Sequence, residues 1–333
     1  MKLWTRAKAF VGRLFRRKPQ LGRFKTGAKF AFRGFLAGAP WVWPRRKYLV
    51  YRPAGWSWFR RAPLIVLCHG CKQTPEEFAE GTRIAALADR LGCLVLLPRQ
   101  EQVANAWRCW NWFDSAVARG RGEAAIVAAM VRSVRRWYRA DRDRVLAVGI
   151  SAGGALAAVL GVRHPDLVRA VAVHSGLACG AAASAFTAIG VMQRGPEADV
   201  EAIAMAARSA NETALPVPLL AIHGLEDSVV APVNAVALVR QYLRLNGHPA
   251  LDASALRPDA LPASDAQRTE RMADGRDVTT REWRSGNRLV ARYIAVAGLG
   301  HAWSGGDDAL PFNDARAPDA TALVGAFLRD ALP

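Results

Sequence analysis

The clearest chemical signal in the sequence is a serine at position 151 with a glycine two residues away on each side. The apolar run 145–150 predicts a buried strand that ends at Ser151, and the small residues of 152–162 predict a helix after it. Glycines at these two positions allow a strand-to-helix turn too sharp for side chains. The pattern is typical of a nucleophile elbow, in which the serine hydroxyl is exposed at the end of a strand. The short motif alone also occurs by chance, and its flanks favour the elbow.

A serine nucleophile needs a base to accept its proton and an acid to orient that base. Asp227 and His301 each follow a predicted strand, and both come after the serine in the order acid, then histidine. We therefore assign Asp227 as the orienting carboxylate and His301 as the general base. Glu226 is the competing acid, and the spacing from Gly224 favours Asp227.

Three further histidines, His69, His174 and His223, also follow predicted strands. Each precedes a glycine or Ser-Gly, so we interpret them as structural residues that hydrogen-bond within loops.

The tetrahedral intermediate of acyl transfer needs backbone N–H donors. One donor is expected from Ala152, the residue after the nucleophile. The second is expected from the loop 69–71, which follows the predicted strand 64–68. Gly70 in that loop is equally explained as an ordinary turn glycine.

The charge of the 333-residue chain is uneven along its length. The net charge is +18, yet the first acidic residue is Glu76 and the remainder of the chain is balanced. Residues 1–18 have an apolar stripe at helical spacing with basic residues around it, so they predict either an amphipathic helix on an anionic membrane surface or a poorly ordered tail. We assign 1–45 as a basic arm and 46–333 as one catalytic domain. We expect no specific nucleic-acid partner.

Strand patterns alternate with helical patterns throughout 46–333, which predicts a mostly parallel sheet with helices on both faces. Helices are expected over 76–91, 123–138, 232–245 and 320–328. The Ala-rich stretch 178–215 predicts a small helical cap, and the polar stretch 249–280 predicts a surface insertion.

The five cysteines are too few for a disulfide scaffold. Cys68 and Cys71 form a single C-x-x-C spacing, for which a redox or zinc role is a minor alternative. Cys68 ends an apolar strand pattern, where a buried thiol is the default. We expect no metal and no cofactor.

Several short segments stand in an order that resembles one family. They are His69-Gly70-Cys71-Lys72-Gln73, Pro98-Arg99-Gln100, Arg108-Cys109-Trp110-Asn111-Trp112-Phe113, Gly149-Ile150-Ser151-Ala152-Gly153-Gly154, His174-Ser175-Gly176-Leu177, His223-Gly224 with Asp227, and Gly300-His301-Ala302-Trp303-Ser304-Gly305-Gly306. The set resembles the esterase family of short-chain polyhydroxyalkanoate depolymerases, whose relatives include feruloyl and acetylxylan esterases. The resemblance covers about residues 45–306 and implies an α/β-hydrolase fold.

The resemblance also implies roles for residues at the site. It implies the triad Ser151, Asp227 and His301, with oxyanion donors at Cys71 and Ala152. It further implies an aromatic acyl crevice, for which the candidates are Trp110, Trp112 and Trp303; core packing explains each of them equally well. Cys71 lies in the oxyanion loop and Cys109 opens a Trp-rich loop expected above it, so we expect these two cysteines to form a disulfide in an oxidising compartment, while Cys68 and Cys93 stay thiols.

The function implied is hydrolysis of carboxylic esters by a serine esterase, most simply short-chain 3-hydroxyalkanoate esters or oligomers. Feruloyl or acetylxylan esterase activity is the alternative, and a membrane- or polyanion-binding protein with an idle hydrolase domain is a third hypothesis. Arg99 departs from the family pattern. No polymer-binding domain follows His301, which favours soluble esters over solid polymer. Family members are usually extracellular, but no cleavable signal peptide is visible, so the sequence leaves the compartment open.

Overall fold

The structure, a computed structural model, describes residues 22–30, 45–211, 216–251 and 259–332. The predicted amphipathic helix over 1–18 lies outside these residues. Within the described ranges, no helix is long and apolar enough to cross a bilayer.

One ten-stranded sheet organises the domain, in the order β1-β2-β4-β3-β5-β6-β7-β10-β9-β8. The six central strands from β4 to β10 are parallel, and the two strands at each edge are antiparallel. The strands are β1 (Arg23–Phe30), β2 (Arg45–Arg52), β3 (Ala62–Cys68), β4 (Leu94–Pro98), β5 (Ala140–Ile150), β6 (Ala170–His174), β7 (Leu219–Gly224), β8 (Ala266–Arg271), β9 (Asp277–Ser285) and β10 (Arg288–Val296). Short strands β11 (Trp303–Ser304) and β12 (Asn313–Asp314) form a separate parallel pair.

Helices cover both faces of the sheet, as predicted. The central strands are buried on both sides, so their residues are apolar in nearly continuous runs. The core on one face includes the helices Gly122–Trp137, Ala152–Arg163 and Val233–Leu245. The core on the other face includes Pro75–Gly81, Ile84–Leu91 and Ala320–Ala331. A four-residue helix, Ser115–Ala118, precedes the helix Gly122–Trp137.

The single helix expected over 76–91 is two helices. The first begins at a capping box, in which Thr74 and Glu77 satisfy each other's backbone N–H groups. It ends at Gly81, and Arg83 takes a left-handed conformation with φ 53° before the second helix begins at Ile84. The apolar spacing continues across this break because both helices pack on the same face of the sheet.

The Ala-rich stretch forms two helices, Ala185–Arg194 and Val200–Ser209. Both are tied to the helix Val233–Leu245 by buried amides. The Asn234 amide donates to the Val191 carbonyl at 3.0 Å, and the Gln241 amide donates to the Val200 carbonyl at 3.0 Å. This pair of helices corresponds to the small cap expected from the sequence.

The prediction of a surface insertion over 249–280 is wrong in part, because this stretch contributes β8 and the start of β9 to the edge of the sheet. β8 is exposed along its length, so it has no apolar alternation to recognise. β9 buries Val278, Thr280 and Trp283 and is polar elsewhere. The Trp283 indole is buried, and its N–H donates to the Ala263 carbonyl at 2.9 Å.

The arm assigned to 1–45 also requires correction, because residues 23–30 are a strand of the sheet. β1 pairs antiparallel with β2 over eight residue pairs. The Asp89 carboxylate ties this edge together by accepting from the Tyr51 hydroxyl at 2.8 Å and from the Ala54 N–H at 2.7 Å. Basic residues and exposed positions conceal the strand in the sequence, since an edge strand can place charge towards solvent.

Trp283→Ala is expected to lower the free energy of unfolding by about 3 to 5 kcal/mol, because it empties a fully buried site and leaves the Ala263 carbonyl without its donor. Urea unfolding measures the change. Phe59→Ala is the matched control, since Phe59 is 94% exposed and its loss is expected to cost less than about 0.5 kcal/mol. Equal effects of the two substitutions would show that Trp283 does not anchor this edge.

Candidate active site

Ser151 lies at a strained turn between β5 and the helix Ala152–Arg163. Its backbone has φ 55° and ψ −125°, an unusual conformation for a residue with a side chain. A Cβ at Gly149 would overlap the Gly153 backbone, and a Cβ at Gly153 would overlap the Cys68 and His69 carbonyl groups. Both glycines are therefore required for the turn to pack against the end of β3.

Asp227 lies just beyond β7, and its carboxylate is buried and fully engaged. Oδ1 accepts from the backbone N–H groups of Val229 at 3.0 Å and Val230 at 2.8 Å. Oδ2 is 2.8 Å from Nδ1 of His301, which places the imidazole N–H on the side of the carboxylate. The competing acid, Glu226, is exposed, and its backbone N–H donates to the Leu299 carbonyl at 3.1 Å.

The loops that carry these two residues are in direct backbone contact. A Cβ at Gly224 would overlap the Leu299 carbonyl, so the loop after β7 lies against the loop after β10. The N–H of Leu225 donates to the Val296 carbonyl at 2.9 Å, which continues the sheet bonding into the loops. This contact brings Asp227 to His301 across 74 residues of sequence.

The charge on Asp227 is stabilised by its surroundings. Burial acts to raise the pKa of this carboxyl, but the hydrogen bond from His301 and the Val230 amide outweigh it and hold the pKa below its usual value. Since the folded-state pKa is below that of the unfolded chain, ionised Asp227 adds stability above about pH 4, and this is lost as the pH falls through the folded-state pKa.

The three histidines interpreted as structural are buried, and burial lowers their pKa values. The pKa of His69 falls to about 4 and that of His174 to about 3, while that of His223 is also lowered. They are therefore neutral at pH 7. His69 accepts the Gln100 N–H at 3.1 Å, and His223 Nε2 donates to the Val230 carbonyl at 2.8 Å, beside Asp227.

The loop after β3 presents its backbone beside the elbow. Gly70 donates its N–H to the Gln73 side chain at 2.8 Å, and Cys71 forms a disulfide with Cys109, as the sequence led us to expect. Lys72 donates its N–H to the Trp107 carbonyl at 2.6 Å. Ala152, the other expected donor, is the first residue of its helix, so its N–H has no acceptor within that helix.

A buried carboxylate holds the loop that carries Cys109. Glu123 accepts from the Asn111 backbone N–H at 2.7 Å, from the Asn111 side chain at 2.8 Å and from the Gln100 side chain. Gln100 also donates to the Cys109 carbonyl at 2.9 Å. Burial raises the pKa of Glu123 despite these donors. The chain of contacts from Glu123 through Cys109 to Cys71 braces the loop after β3.

The three tryptophans expected in an acyl crevice are packed inside the protein instead. Trp110, Trp112 and Trp303 are only 1%, 4% and 1% exposed. Trp110 donates its indole N–H to the His69 carbonyl at 3.1 Å, and Trp303 donates to the Thr321 hydroxyl at 3.1 Å while stacking on His174. Their rings pack beneath the loops of the candidate site, so this structure favours core packing over substrate contact for all three.

Other apolar side chains are exposed on the loops of the site. Trp107 is 63% exposed and belongs to the segment bonded to Lys72. Leu225 and Val229 flank Asp227, and Phe312 lies beside β11. Sequence reasoning missed these residues because isolated apolar residues in polar loops carry no periodic signal. The one indication available in the sequence was a Trp directly before the Arg108-Cys109 motif.

The remaining cysteines are buried thiols. Burial raises the pKa of Cys68 and Cys93 to about 12 and that of Cys179 to about 11. Cys71 is bonded to Cys109 and not to Cys68, so the C-x-x-C spacing is not a redox pair in this structure. In the described part of the chain, no three His, Cys, Asp or Glu side chains are grouped so as to hold a metal ion.

Replacing Cys71 and Cys109 together by serine is expected to lower the free energy of unfolding by about 3 to 4 kcal/mol, the chain-entropy value for a loop of this length. It is also expected to lower kcat on a soluble ester, since the Cys71 amide loses its brace. Dithiothreitol should reproduce both effects on the unsubstituted protein and leave the double variant unchanged. Free thiols at both positions in protein from an oxidising compartment would contradict the disulfide.

The chain is similar in sequence to known esterases and depolymerases. The chain matches the family model described as Esterase PHB depolymerase over residues 46–264. It is 32% identical over 189 residues to poly(3-hydroxyalkanoate) depolymerase C of Paucimonas lemoignei, covering 56% of this chain and 45% of that protein. It is 28% identical over 197 residues to feruloyl esterase B of Thermothelomyces thermophilus, covering 56% of this chain and 66% of that protein. The matches thus span less than two-thirds of either relative.

Among solved structures, the chain resembles an acetyl xylan esterase from Aspergillus awamori, with a TM-score of 0.63 and 21% identity over 77% of this chain and 89% of that one. This likeness shows the α/β-hydrolase fold. The family model covers more than half of the chain, and its matched region includes the loop after β3, the elbow and Asp227. The protein therefore belongs to the Esterase PHB depolymerase family.

Proposed function

We propose that this protein is a serine esterase that hydrolyses carboxylic esters through an acyl-enzyme. The observation that carries the proposal is the 2.8 Å hydrogen bond between buried Asp227 and His301, at the same edge of the sheet as the elbow that presents Ser151. Asp227 holds the proton on Nδ1 of His301, which leaves Nε2 free to act as a base.

The reaction uses these groups in two stages. Ser151 Oγ attacks the ester carbonyl carbon while Nε2 of His301 accepts the hydroxyl proton, and the negative oxygen is stabilised by the N–H groups of Cys71 and Ala152. The bond to the alcohol then breaks, and His301 gives its proton to the departing oxygen. Water, deprotonated by His301, then attacks the acyl-enzyme; the bond from the acyl carbon to Oγ breaks, and His301 returns the proton to Oγ as the carboxylic acid leaves.

We infer that the substrates are short-chain 3-hydroxyalkanoate esters or oligomers. The exposed apolar side chains Leu225, Val229 and Phe312 suit the small alkyl groups of such an acyl chain. The similarity to a poly(3-hydroxyalkanoate) depolymerase supports the same substrate class. Exposed Trp107 favours feruloyl esterase activity as the second candidate, because its indole can stack on an aromatic acyl group. Acetylxylan esters remain a variant of that second candidate.

Ser151→Ala is expected to lower kcat on p-nitrophenyl butyrate by a factor on the order of 10⁴ to 10⁶, since it removes the nucleophile. Asp227→Asn is expected to cost less than the serine change, because the base remains but its proton is no longer held on Nδ1. The matched control is Glu226→Gln, the neighbouring exposed acid, which should retain kcat within a few fold. A larger loss from Glu226→Gln than from Asp227→Asn would reassign the acid, and an active Ser151→Ala enzyme would reject the mechanism.

A substrate panel separates the two candidate classes. We expect kcat/KM for 3-hydroxybutyrate oligomers to exceed that for methyl ferulate, and Trp107→Ala to change the ratio by altering KM more than kcat. The panel also includes p-nitrophenyl esters of two to eight carbons and acetylated xylan. Preference for methyl ferulate, lost in Trp107→Ala, would favour the feruloyl alternative.

A further inference from the structure

An arginine-rich cleft lies at the amino ends of the central strands β3 and β5. The proposed catalytic groups lie at the opposite, carboxyl ends of the strands. The volume of the cleft is about 550 Å³. Six arginines and a single carboxylate, that of Asp166, line it: Arg61, Arg132, Arg135, Arg136, Arg139 and Arg142. We refer to these seven residues as the arginine cleft. None of them belongs to the basic amino-terminal stretch 1–45, and the balanced net charge of the later sequence conceals their clustering.

The arginines come from three separate elements of the fold. Arg61 immediately precedes β3, and Arg139 immediately precedes β5, where Ala62 and Ala140 are paired. The helix Gly122–Trp137 contributes three arginines from its last turns. A helix carboxyl end favours nearby cations, but that effect does not account for arginines delivered by two strands.

Two backbone irregularities direct side chains into the cleft. Between the Ala62–Ala140 and Leu64–Val145 pairs, β5 contains several more residues than β3, and this bulge carries Arg142. Arg139 has φ 53°, a left-handed conformation for which glycine is favoured after a helix. An arginine therefore occupies a position where it costs conformational energy.

The cleft has little negative charge of its own. Arg132 lies 3.7 Å from Asp166, and Arg135 donates to the Asp166 carbonyl at 3.3 Å. The neighbouring acids form their direct ion pairs outside the cleft, Asp141 with Arg144 at 3.0 Å and Asp143 with Arg169 at 3.2 Å. They act on the cleft only through longer-range charge, Asp141 on Arg61 and Asp143 on Arg135. Across the described ranges, no carboxylate lies within 4 Å of the guanidinium groups of the other five arginines of the cleft.

Like charges crowd the partly buried arginine of this group. Burial, and next the positive charge of Arg142, lower the pKa of Arg135. Arg136 is held over the ring of Trp137 at 5.2 Å, which restricts its side chain. Crowded guanidinium groups with few counter-charges are stabilised when an anion binds among them, and arginine suits phosphate because it donates two parallel hydrogen bonds.

We propose that the arginine cleft binds a compact anion that carries several phosphate groups. The volume is within the range of small-molecule sites, and the concave shape favours a compact ligand over an extended duplex. The paired strand β3 covers the same stretch in seven residues, from Ala62 beside Ala140 to Cys68 beside Gly149, so the cleft lies roughly 20 Å from the elbow and the bound anion does not touch the catalytic groups. Phosphate headgroups of a lipid surface and a free polyphosphate present the same chemistry.

Isothermal titration of the full chain with inorganic tripolyphosphate tests the proposal. The double substitution Arg61→Gln with Arg142→Gln removes two exposed charges from the cleft. The matched control, Arg268→Gln with Arg288→Gln, removes the same charge from exposed positions on β8 and β10. We expect the cleft variant to raise Kd at least about tenfold and the control to change it less than about twofold. Activity on p-nitrophenyl butyrate should be unchanged in both variants, which shows that they fold.

Equal losses in the two variants, or no binding by the unsubstituted protein, would overturn the proposal. Vesicles of phosphatidylglycerol distinguish the source of the phosphate. Vesicle binding that falls with tripolyphosphate binding in the cleft variant supports a lipid headgroup, and vesicle binding that is unchanged while tripolyphosphate binding is lost supports a free anion. Binding of a DNA duplex that requires the cleft arginines and is not displaced by tripolyphosphate would overturn the proposal of a compact anion and favour nucleic acid as the ligand.

Discussion

Backbone contacts without room for a Cβ atom set the geometry of the site. Gly153 lies against the carbonyl groups at the end of β3, which places the elbow beside the loop that carries Cys71. Gly224 lies against Leu299 in the same way, which places Asp227 beside His301. Close packing of this kind cannot relax by side-chain movement, so Ser151, Asp227 and His301 are positioned by the sheet itself. The loops add side chains to a framework that is already rigid.

The electrostatics of the site follow from the burial of its ionisable side chains. Four histidines lie near the catalytic edge, and burial keeps His69, His174 and His223 neutral at pH 7. Asp227 therefore meets no fixed positive charge from those three rings, and its own charge is stabilised by two backbone N–H groups and by His301. In the proposed mechanism, this arrangement favours the imidazolium that forms on His301 when it accepts a proton from Ser151. The neutral histidines act as hydrogen-bonding parts of the framework.

The central sheet and the elbow were predictable because buried parallel strands and the Gly-x-Ser-x-Gly turn leave strong local signals. The order of acid and histidine at strand ends identified a pair that lies 2.8 Å apart in the structure. The edges were not predictable in the same way, since β1 and β8 are polar and largely exposed. For Trp110, Trp112 and Trp303 the sequence left an acyl crevice and core packing equally open, because residue type does not reveal which side of a loop faces the core. The arginine cleft depends on contacts between separate elements, which no linear pattern contains.

The central claim is that His301, held by Asp227, activates Ser151 as the nucleophile. The most direct test is the rate of labelling by a fluorophosphonate, followed by peptide mapping. The account predicts a single label on Ser151 in the unsubstituted protein, and a rate reduced by about 10³ or more in His301→Gln, because the serine loses its base. A label on another residue, or an unchanged rate in His301→Gln, would contradict it.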